Sequence, residues 1–268
     1  MEAYFTRINI LYIKTKMKIA AVIPVHGRKE LLKYTIQRLM NKNVIVIAIG
    51  CLDDIKDLPC QRFVHENYPL GRKWNYGFQR AREYYPDAVL YVGSSDWISD
   101  NWIDVMIPYL EKFDMVGKLD YNLAHICNKI TLLKFKGYID PKLSLRTLLI
   151  KHSLRQFFWG NDRILEPIGI GRLIRSSFLD KINWRPFLDD MNSSMDWCMM
   201  QKLKFLDGTY TVYSGDIIQS LSISCNKWNN MHWSMFERYM PNMEKIKEPG
   251  WVEKWFPELL DFKMDYEK

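Results

Sequence analysis

Between residues 17 and 118 the hydrophobic positions change period several times. Lys18-Ile-Ala-Ala-Val-Ile-Pro-Val25 and Asn43-Val-Ile-Val-Ile-Ala-Ile49 are nearly continuous apolar runs, the pattern of strands buried on both faces. Between them Leu31, Leu32, Ile36 and Leu39 recur at helical spacing and predict a helix over 29–41. Arg62-Phe-Val-His65 predicts a short third strand, residues 70–85 a helix stopped by Pro86, residues 88–93 a strand, and residues 100–113 a helix. Strands alternating with helices predict βαβ units and a mostly parallel sheet. Past residue 118 the alternation stops, and residues 119–165 predict no clear element. A helix is expected over 192–206 with Asp196 in its first turn, and a strand over 217–225. Helical pieces are expected around 232–240 and 249–262, with Pro249-Gly250 as punctuation.

One element end carries chemistry. In Val89-Leu-Tyr-Val-Gly-Ser-Ser-Asp96 an apolar run stops at small polar residues and a carboxylate. The carboxyl edge of an open α/β sheet is where ligands bind. A carboxylate there, after two hydroxyl side chains, suits a divalent cation that arrives with a diphosphate.

Composition narrows the class. The 268 residues are 48% hydrophobic and 26% charged, ordinary for a globular chain. No apolar run approaches the ~20 residues that span a bilayer, and residues 1–16 lack a secretory pattern. The five cysteines are odd in number and scattered, with no Cys-x-x-Cys pair. That argues against a disulfide framework or structural zinc and for a reducing cytoplasm. Residues 1–16 read as an extension or an added edge strand, since Met17 is a natural start. Charge is uneven: residues 129–181 hold eleven Lys or Arg against four Asp or Glu, an excess equal to the whole net charge of +7. Such a block implies either an anionic partner or a solvated face.

Four segments resemble the GT-A fold glycosyltransferases, close to the large family 2 group, and the likeness runs from about Met17 to Phe205. Ile23-Pro-Val-His-Gly-Arg28 matches the strand and polar turn that face the nucleotide. Gly50-Cys-Leu-Asp-Asp54 matches a place where a carboxylate accepts from the base, with Asp53 favoured over Asp54. Gly71-Arg-Lys-Trp-Asn-Tyr-Gly77 matches the helix start that faces the donor, and helix N-termini favour phosphate. Gly93-Ser-Ser-Asp96 replaces the usual Asp-x-Asp and keeps only its last carboxylate. The resemblance implies an α/β fold: one GT-A-type domain, a mostly parallel central sheet flanked by helices, a basic acceptor-side segment and a helical C-terminal tail. Residues 17–118 would form the nucleotide-sugar half, 119–215 the acceptor half and 216–268 a tail on the same domain.

It also implies roles. Pro24, His26, Arg28, Asp53, Lys73, Asn75, Ser94, Ser95 and Asp96 would bind the donor. Asp96 would ligate Mn²⁺ or Mg²⁺, with His232 as a further ligand. Gly169, Gly171 and Arg172 would lie at the acceptor, and Asp196 would be the general base, with Asp189 and Asp190 as rivals. The expected reaction is inverting transfer from a nucleotide sugar, UDP-linked, to a hydroxyl. The basic block makes an anionic acceptor one option, DNA with hydroxymethylated bases among them, where Phe157, Phe158 or Trp159 could stack on a flipped base. A glycan or lipid-linked sugar is the other. A non-catalytic nucleic-acid-binding module and a nucleotidyltransferase are the competing classes.

Overall fold

The computed structural model describes residues 17–126, 130–137, 163, 165–225 and 243–261. The first half is built as β1 (Ile19–Pro24), α1 (Lys29–Asn41), β2 (Ile45–Gly50), α2 (Leu52–Ile55), β3 (Gln61–Val64), α3 (Leu70–Arg82) and β4 (Ala88–Tyr91). Then follow β5 (Asp96–Ile98), α4 (Trp102–Met106), a 3-10 turn (Ile107–Glu111), β6 (Met115–Lys118), β7 (Tyr121–Ile126) and β8 (Ile130–Phe135). After them come β9 (Arg172–Arg175), α5 (Ser176–Lys181), α6 (Met195–Phe205), β10 (Tyr210–Tyr213), β11 (Ser220–Cys225), β12 (Met243–Lys245) and α7 (Trp251–Trp255).

The larger sheet has the order β10-β6-β9-β4-β1-β2-β3. Only β9 runs antiparallel to its neighbours, and the other four pairings are parallel. Its central strands β1, β2 and β4 are apolar throughout because both faces are covered. Ile19, Ala21 and Ile23 of β1 join one core with Leu32 and Ile36 of α1 and Trp102 of α4. Ala20 and Val22 join the opposite core with Trp74 and Phe78 of α3 and Met199 and Leu203 of α6. The period-2 alternation of a strand is thus present inside a run that reads as uniformly hydrophobic. Parallel pairing sets the ends of β1, β2, β3 and β4 along one edge of the sheet.

A second, mixed sheet stands beside the first, in the order β12-β8-β7-β11-β5. One face, with Trp97, Ala124, Leu221 and Ile223, packs under Trp251, Val252 and Phe256. Arg38 of α1 ties this layer down through Asp100 (2.9 Å) and Glu258 (2.6 Å).

The expected order of elements holds through β4, and three details differ. The strand over 88–93 ends at Tyr91, and Asp96 opens β5 in the second sheet, paired with Ser222. The helix over 100–113 is broken into α4 and a 3-10 turn, because Pro108 lacks an N–H and crowds the preceding turn. The segment beyond 118 supplies the β7–β8 hairpin, and the tail is not purely helical: the strand expected over 217–225 is β11, inserted between β7 and β5, and β12 adds to the β8 edge where no strand was expected. A strand of three residues with exposed polar positions, such as β12, gives a weak local signal. Residues 1–16, the helix expected over 232–240, His232, and Phe157, Phe158 and Trp159 lie outside the described residues.

Candidate functional site

The carboxyl edge of β1 turns through Val25-His-Gly-Arg28. Gly27 has φ +63, the left-handed region that costs glycine least. Its N–H donates to Oδ1 of Asp54 at 3.0 Å. Asp54, one residue beyond the favoured Asp53, therefore joins the turn. Asp53 is exposed and pairs with Lys56 instead, whose hydrogen bond and charge hold its carboxyl below the usual range. His26 is exposed and meets the ring of Tyr68 edge-on at 5.9 Å. These two rings flank the turn with faces available to a planar group. Pro24 closes β1 beneath them.

Arg28 crosses from this turn to the next strand end, donating from Nη1 to Ser95 Oγ at 3.1 Å. Ser94 and Ser95 are buried in the turn after β4. Asp96 accepts from the Gly93 N–H (3.0 Å) and the Ser222 hydroxyl (3.0 Å). Its backbone carbonyl accepts from Thr35 of α1. These contacts fix the carboxylate in the turn after β4. Among the described residues no three His, Cys, Asp or Glu side chains cluster as a metal cage. One carboxylate with flanking hydroxyls does fit Mg²⁺ or Mn²⁺, which keep waters and share substrate phosphates.

Two donor residues expected on the surface are turned inward. Lys73 is 1% exposed and donates to the Val25 carbonyl and to Asn67 Oδ1. Burial pushes its ammonium down to about 8, against the opposing pull of Asp54. It braces the turn from below and is not an open phosphate contact. Asn75 donates to the Phe187 carbonyl (2.9 Å) and to Asp189 (2.8 Å), and accepts from the Phe187 N–H (3.0 Å). It clamps residues 187–189, with both amide N–H donors committed to them and its side chain buried.

The start of α3 is closed as well. Its first N–H groups, on Leu70, Gly71 and Arg72, donate to Asn192 Oδ1, the Met191 carbonyl and the Asp189 carbonyl. Donors already capped cannot hold phosphate. A Cβ on Gly71 would fall inside the Leu188 carbonyl, so the family-like glycine serves this docking. Gly71→Ala is expected to cost about 2–3 kcal/mol of unfolding free energy, read by urea denaturation, because the obstacle is backbone.

On the opposite side, Asp196 occupies the first turn of α6, after Ser194 in a left-handed conformation. Its side chain is 27% exposed and pairs with Arg163 at 2.6 Å. Burial pushes the carboxyl up, and the charges of Arg163 and Arg172 overcome it, so the net shift is downward. Gly169 stands against it: a Cβ there would lie 3.2 Å from the Asp196 Cβ and 3.7 Å from the Tyr91 ring. Tyr91, last residue of β4, stacks on Trp74 at 4.2 Å. Burial pushes its hydroxyl up, and Asp196 and Asp96 push it the same way. Tyr91 thus lies within the field of both carboxylates.

Gly171 and Arg172 do not line an open acceptor surface. A Cβ on Gly171 (φ +71) would fall 2.5 Å from the Trp102 ring, and the Gly171 carbonyl accepts from Trp102 Nε1. Arg172 is 0% exposed and donates to the carbonyls of Ile168, Pro167 and Asp196. Of the rival bases, Asp189 is held by Asn75 and Arg185, and Asp190 is exposed beside it. Tyr68, Tyr91, Arg163 and Glu166 join the site neighbourhood with no role expected of them, and Asp54, the alternative to Asp53, takes the place at the turn. Only Asp54, adjacent to Asp53 in the quoted motif, left a sequence signal.

No family model matches the chain, and no curated protein matches it in sequence. Solved structures do resemble it. TarS residues 1–349 of S. aureus superposes with a TM-score of 0.50 at 14% identity, over 77% of this chain and 60% of that one. A mannosyltransferase from Pyrobaculum calidifontis, in complex with GDP-Man and Mn²⁺, gives 0.49 at 9% identity over 83% and 61%. An inositol-1-phosphate CTP transferase from T. maritima gives 0.46 at 12% identity over 84% and 95%. The chain spans about three-fifths of the length of the first two. The architecture is a GT-A-type α/β fold, with a mostly parallel central sheet flanked by helices. A fold does not fix a reaction, so the reaction is argued from the site. No helix among the described residues is long and apolar enough to cross a membrane.

Proposed function

We propose that the protein transfers a monosaccharide from a nucleotide sugar, UDP-linked, to a hydroxyl acceptor with inversion. The observation that supports this reading is that Asp96 and Asp196, 100 positions apart in the sequence, both lie near Tyr91: Asp96 follows β4 in its turn, and Gly169 packs between the Asp196 side chain and the Tyr91 ring. The nucleotide lies at the Val25–Arg28 turn, its base beside His26 and Tyr68 and its edge within reach of Asp54. The diphosphate lies at Ser94, Ser95 and Asp96, with Arg28 alongside.

The acceptor oxygen attacks the anomeric carbon as its proton passes to Asp196. The bond from that carbon to the diphosphate oxygen breaks, and its electron pair leaves on the diphosphate. A general base contributes about 10²–10⁴-fold in such a step. Its ionised state at neutral pH follows from Arg163 and Arg172. Asp96 would hold Mn²⁺ or Mg²⁺, and the ion, when bound, offsets the charge developing on the leaving diphosphate.

Within the basic block, Lys134 pairs with Asp120 and Asp216, Lys136 with Glu244 and Arg163 with Asp196 and Glu166. Arg172 is buried. Four of the six described cations of the block are thus paired or buried, which favours a sugar hydroxyl on a glycan or lipid carrier over DNA as acceptor.

The test is a donor screen with UDP-, GDP- and TDP-sugars, reading released nucleotide and product mass. Acceptors would be a lipid-phosphate sugar, unmodified DNA and hydroxymethylcytosine DNA. The expected result is sugar mass on the lipid-linked acceptor, with Asp196→Asn turning over about 10²–10⁴-fold slower at unchanged nucleotide affinity. Product carrying a nucleotidyl group, with pyrophosphate released, would replace this reading by nucleotidyl transfer. Sugar on modified DNA alone would make the acceptor polyanionic, and its affinity should then fall with salt.

A further inference from the structure

The loop before β9 contains a buried charge cluster that the proposed chemistry does not use. Glu166 is 0% exposed. Its Oε2 accepts from Arg163 Nε at 2.9 Å and its Oε1 from Lys204 Nζ at 2.7 Å. A carboxylate removed from water is costly unless it is paired and hydrogen-bonded, and here both oxygens are paired. The Nε edge of Arg163 is thereby committed to Glu166. The same planar guanidinium presents Nη2 to Asp196 Oδ2 at 2.6 Å. A rigid fork with one edge fixed transmits that orientation to whatever the other edge holds.

A second guanidinium acts on the backbone of the same residue. Arg172 Nη1 donates to the Asp196 carbonyl at 2.7 Å. Its other donors hold Ile168 and Pro167 in the loop that carries Glu166. The carboxylate and the carbonyl of Asp196 are therefore held by two arginines anchored in one loop.

We propose that Arg163 is a positioning residue for Asp196: braced by buried Glu166 and Lys204, it fixes where the Asp196 carboxylate stands at the Tyr91 strand end. The proposal deepens the reading of Asp196 as the base and rests on it for its consequence in turnover. The charged and titratable groups facing Asp196 are Arg163, Arg172 and Tyr91, with Glu166 behind Arg163. Arg163 favours the ionised carboxylate and opposes the upward push of burial. Removing it raises the pH at which Asp196 takes up a proton. A base must be ionised to accept a proton, so the acid limb of turnover then moves to higher pH.

The experiment follows the Asp196 carboxyl by carbon-13 NMR titration in the full-length, donor-free protein, assigned by its loss in Asp196→Asn. Wild type, Arg163→Gln and Arg163→Lys are compared, with kcat against pH on the same proteins. The expected result is titration below the ordinary aspartate range in wild type and a shift upward in Arg163→Gln. Part of that shift is recovered in Arg163→Lys, which keeps the charge without the fork. The acid limb of kcat moves in parallel. Identical Asp196 titration in wild type and Arg163→Gln would overturn the proposal. If the carboxyl shifts while the kcat limb stays in place, Arg163 holds Asp196 as proposed and the base assignment falls. Should Arg163→Gln fail to fold, the Arg163→Lys comparison decides: an unmoved titration and an unmoved acid limb together overturn the proposal.

Discussion

Asp96→Ala is expected to lower turnover by about 10²–10³-fold, the cost of removing one group that stabilises charge in a transition state. The carboxylate is the charged side chain of the Gly93–Asp96 turn. It is held there by the Gly93 N–H and the Ser222 hydroxyl. Removing it also leaves those two donors without this acceptor, so a stability loss of about 1–2 kcal/mol accompanies the change. The two effects separate experimentally. Asp96→Asn keeps an acceptor for one donor and loses the charge, so it should recover part of the melting temperature and little of the rate. Ser222→Ala keeps the charge and loosens its aim, so its rate loss should be smaller than that of Asp96→Ala. Donor binding, measured by calorimetry with Mn²⁺ and again with a chelator, should lose its metal dependence in Asp96→Ala. Undiminished turnover in that variant would remove Asp96 from the chemistry.

The largest stability effect is expected at Arg172. Its guanidinium is buried and donates to three backbone carbonyls, those of Ile168, Pro167 and Asp196. Arg172→Met matches the stem and deletes all three donors. Each buried carbonyl left without a partner costs about 1–3 kcal/mol, and local relaxation recovers some of that. A net loss of about 3–5 kcal/mol is expected, or a melting temperature lower by roughly 10 °C for a domain of this size. Arg172→Lys should repair little, because an ammonium cannot span three acceptors spread around a planar fork. Activity at low temperature should fall as well, since the Asp196 backbone loses one of its supports. A melting temperature within 2 °C of wild type, as an order-of-magnitude bound, would show that the three carbonyls find other donors.

The place of several candidate residues at an element end was legible in the sequence because it depends on local structure. Asp96 follows an apolar run that has to end at the sheet edge. Asp196 sits in a helix first turn marked by the change of pattern after Asn192. Gly27 lies in a short polar turn where β1 gives way to α1. In each case a strand or helix end is read from periodicity, and the element end then carries its polar residue to the edge.

The residues that were misplaced are polar side chains whose partners are distant in the chain. Lys73 finds the Val25 carbonyl 48 positions away, and Asn75 finds Phe187 and Asp189 at separations of 112 and 114. Arg172 turns inward onto a loop and onto Asp196, 24 positions on. A lysine or an asparagine on a helix reads identically whether it meets solvent or a buried carbonyl. The choice between Asp53 and Asp54 has the same origin: adjacent residues of one short helix point in different directions, and only the approach of the Gly27 turn selects Asp54.

The second sheet shows the remaining gap. Its strands come from residues 96–98, 121–126, 130–135, 220–225 and 243–245, and no local pattern says that β11 should enter between β7 and β5. The sequence by itself determined the α/β class, the four leading strands and their helices, and the two carboxylates at element ends. Hydrophobic period and helix-start chemistry are local properties and need no knowledge of the rest of the chain. Only the tertiary structure decided which polar groups face the edge and which are consumed in holding it, because hydrogen-bond partners are chosen by spatial approach and a buried donor or acceptor must find one.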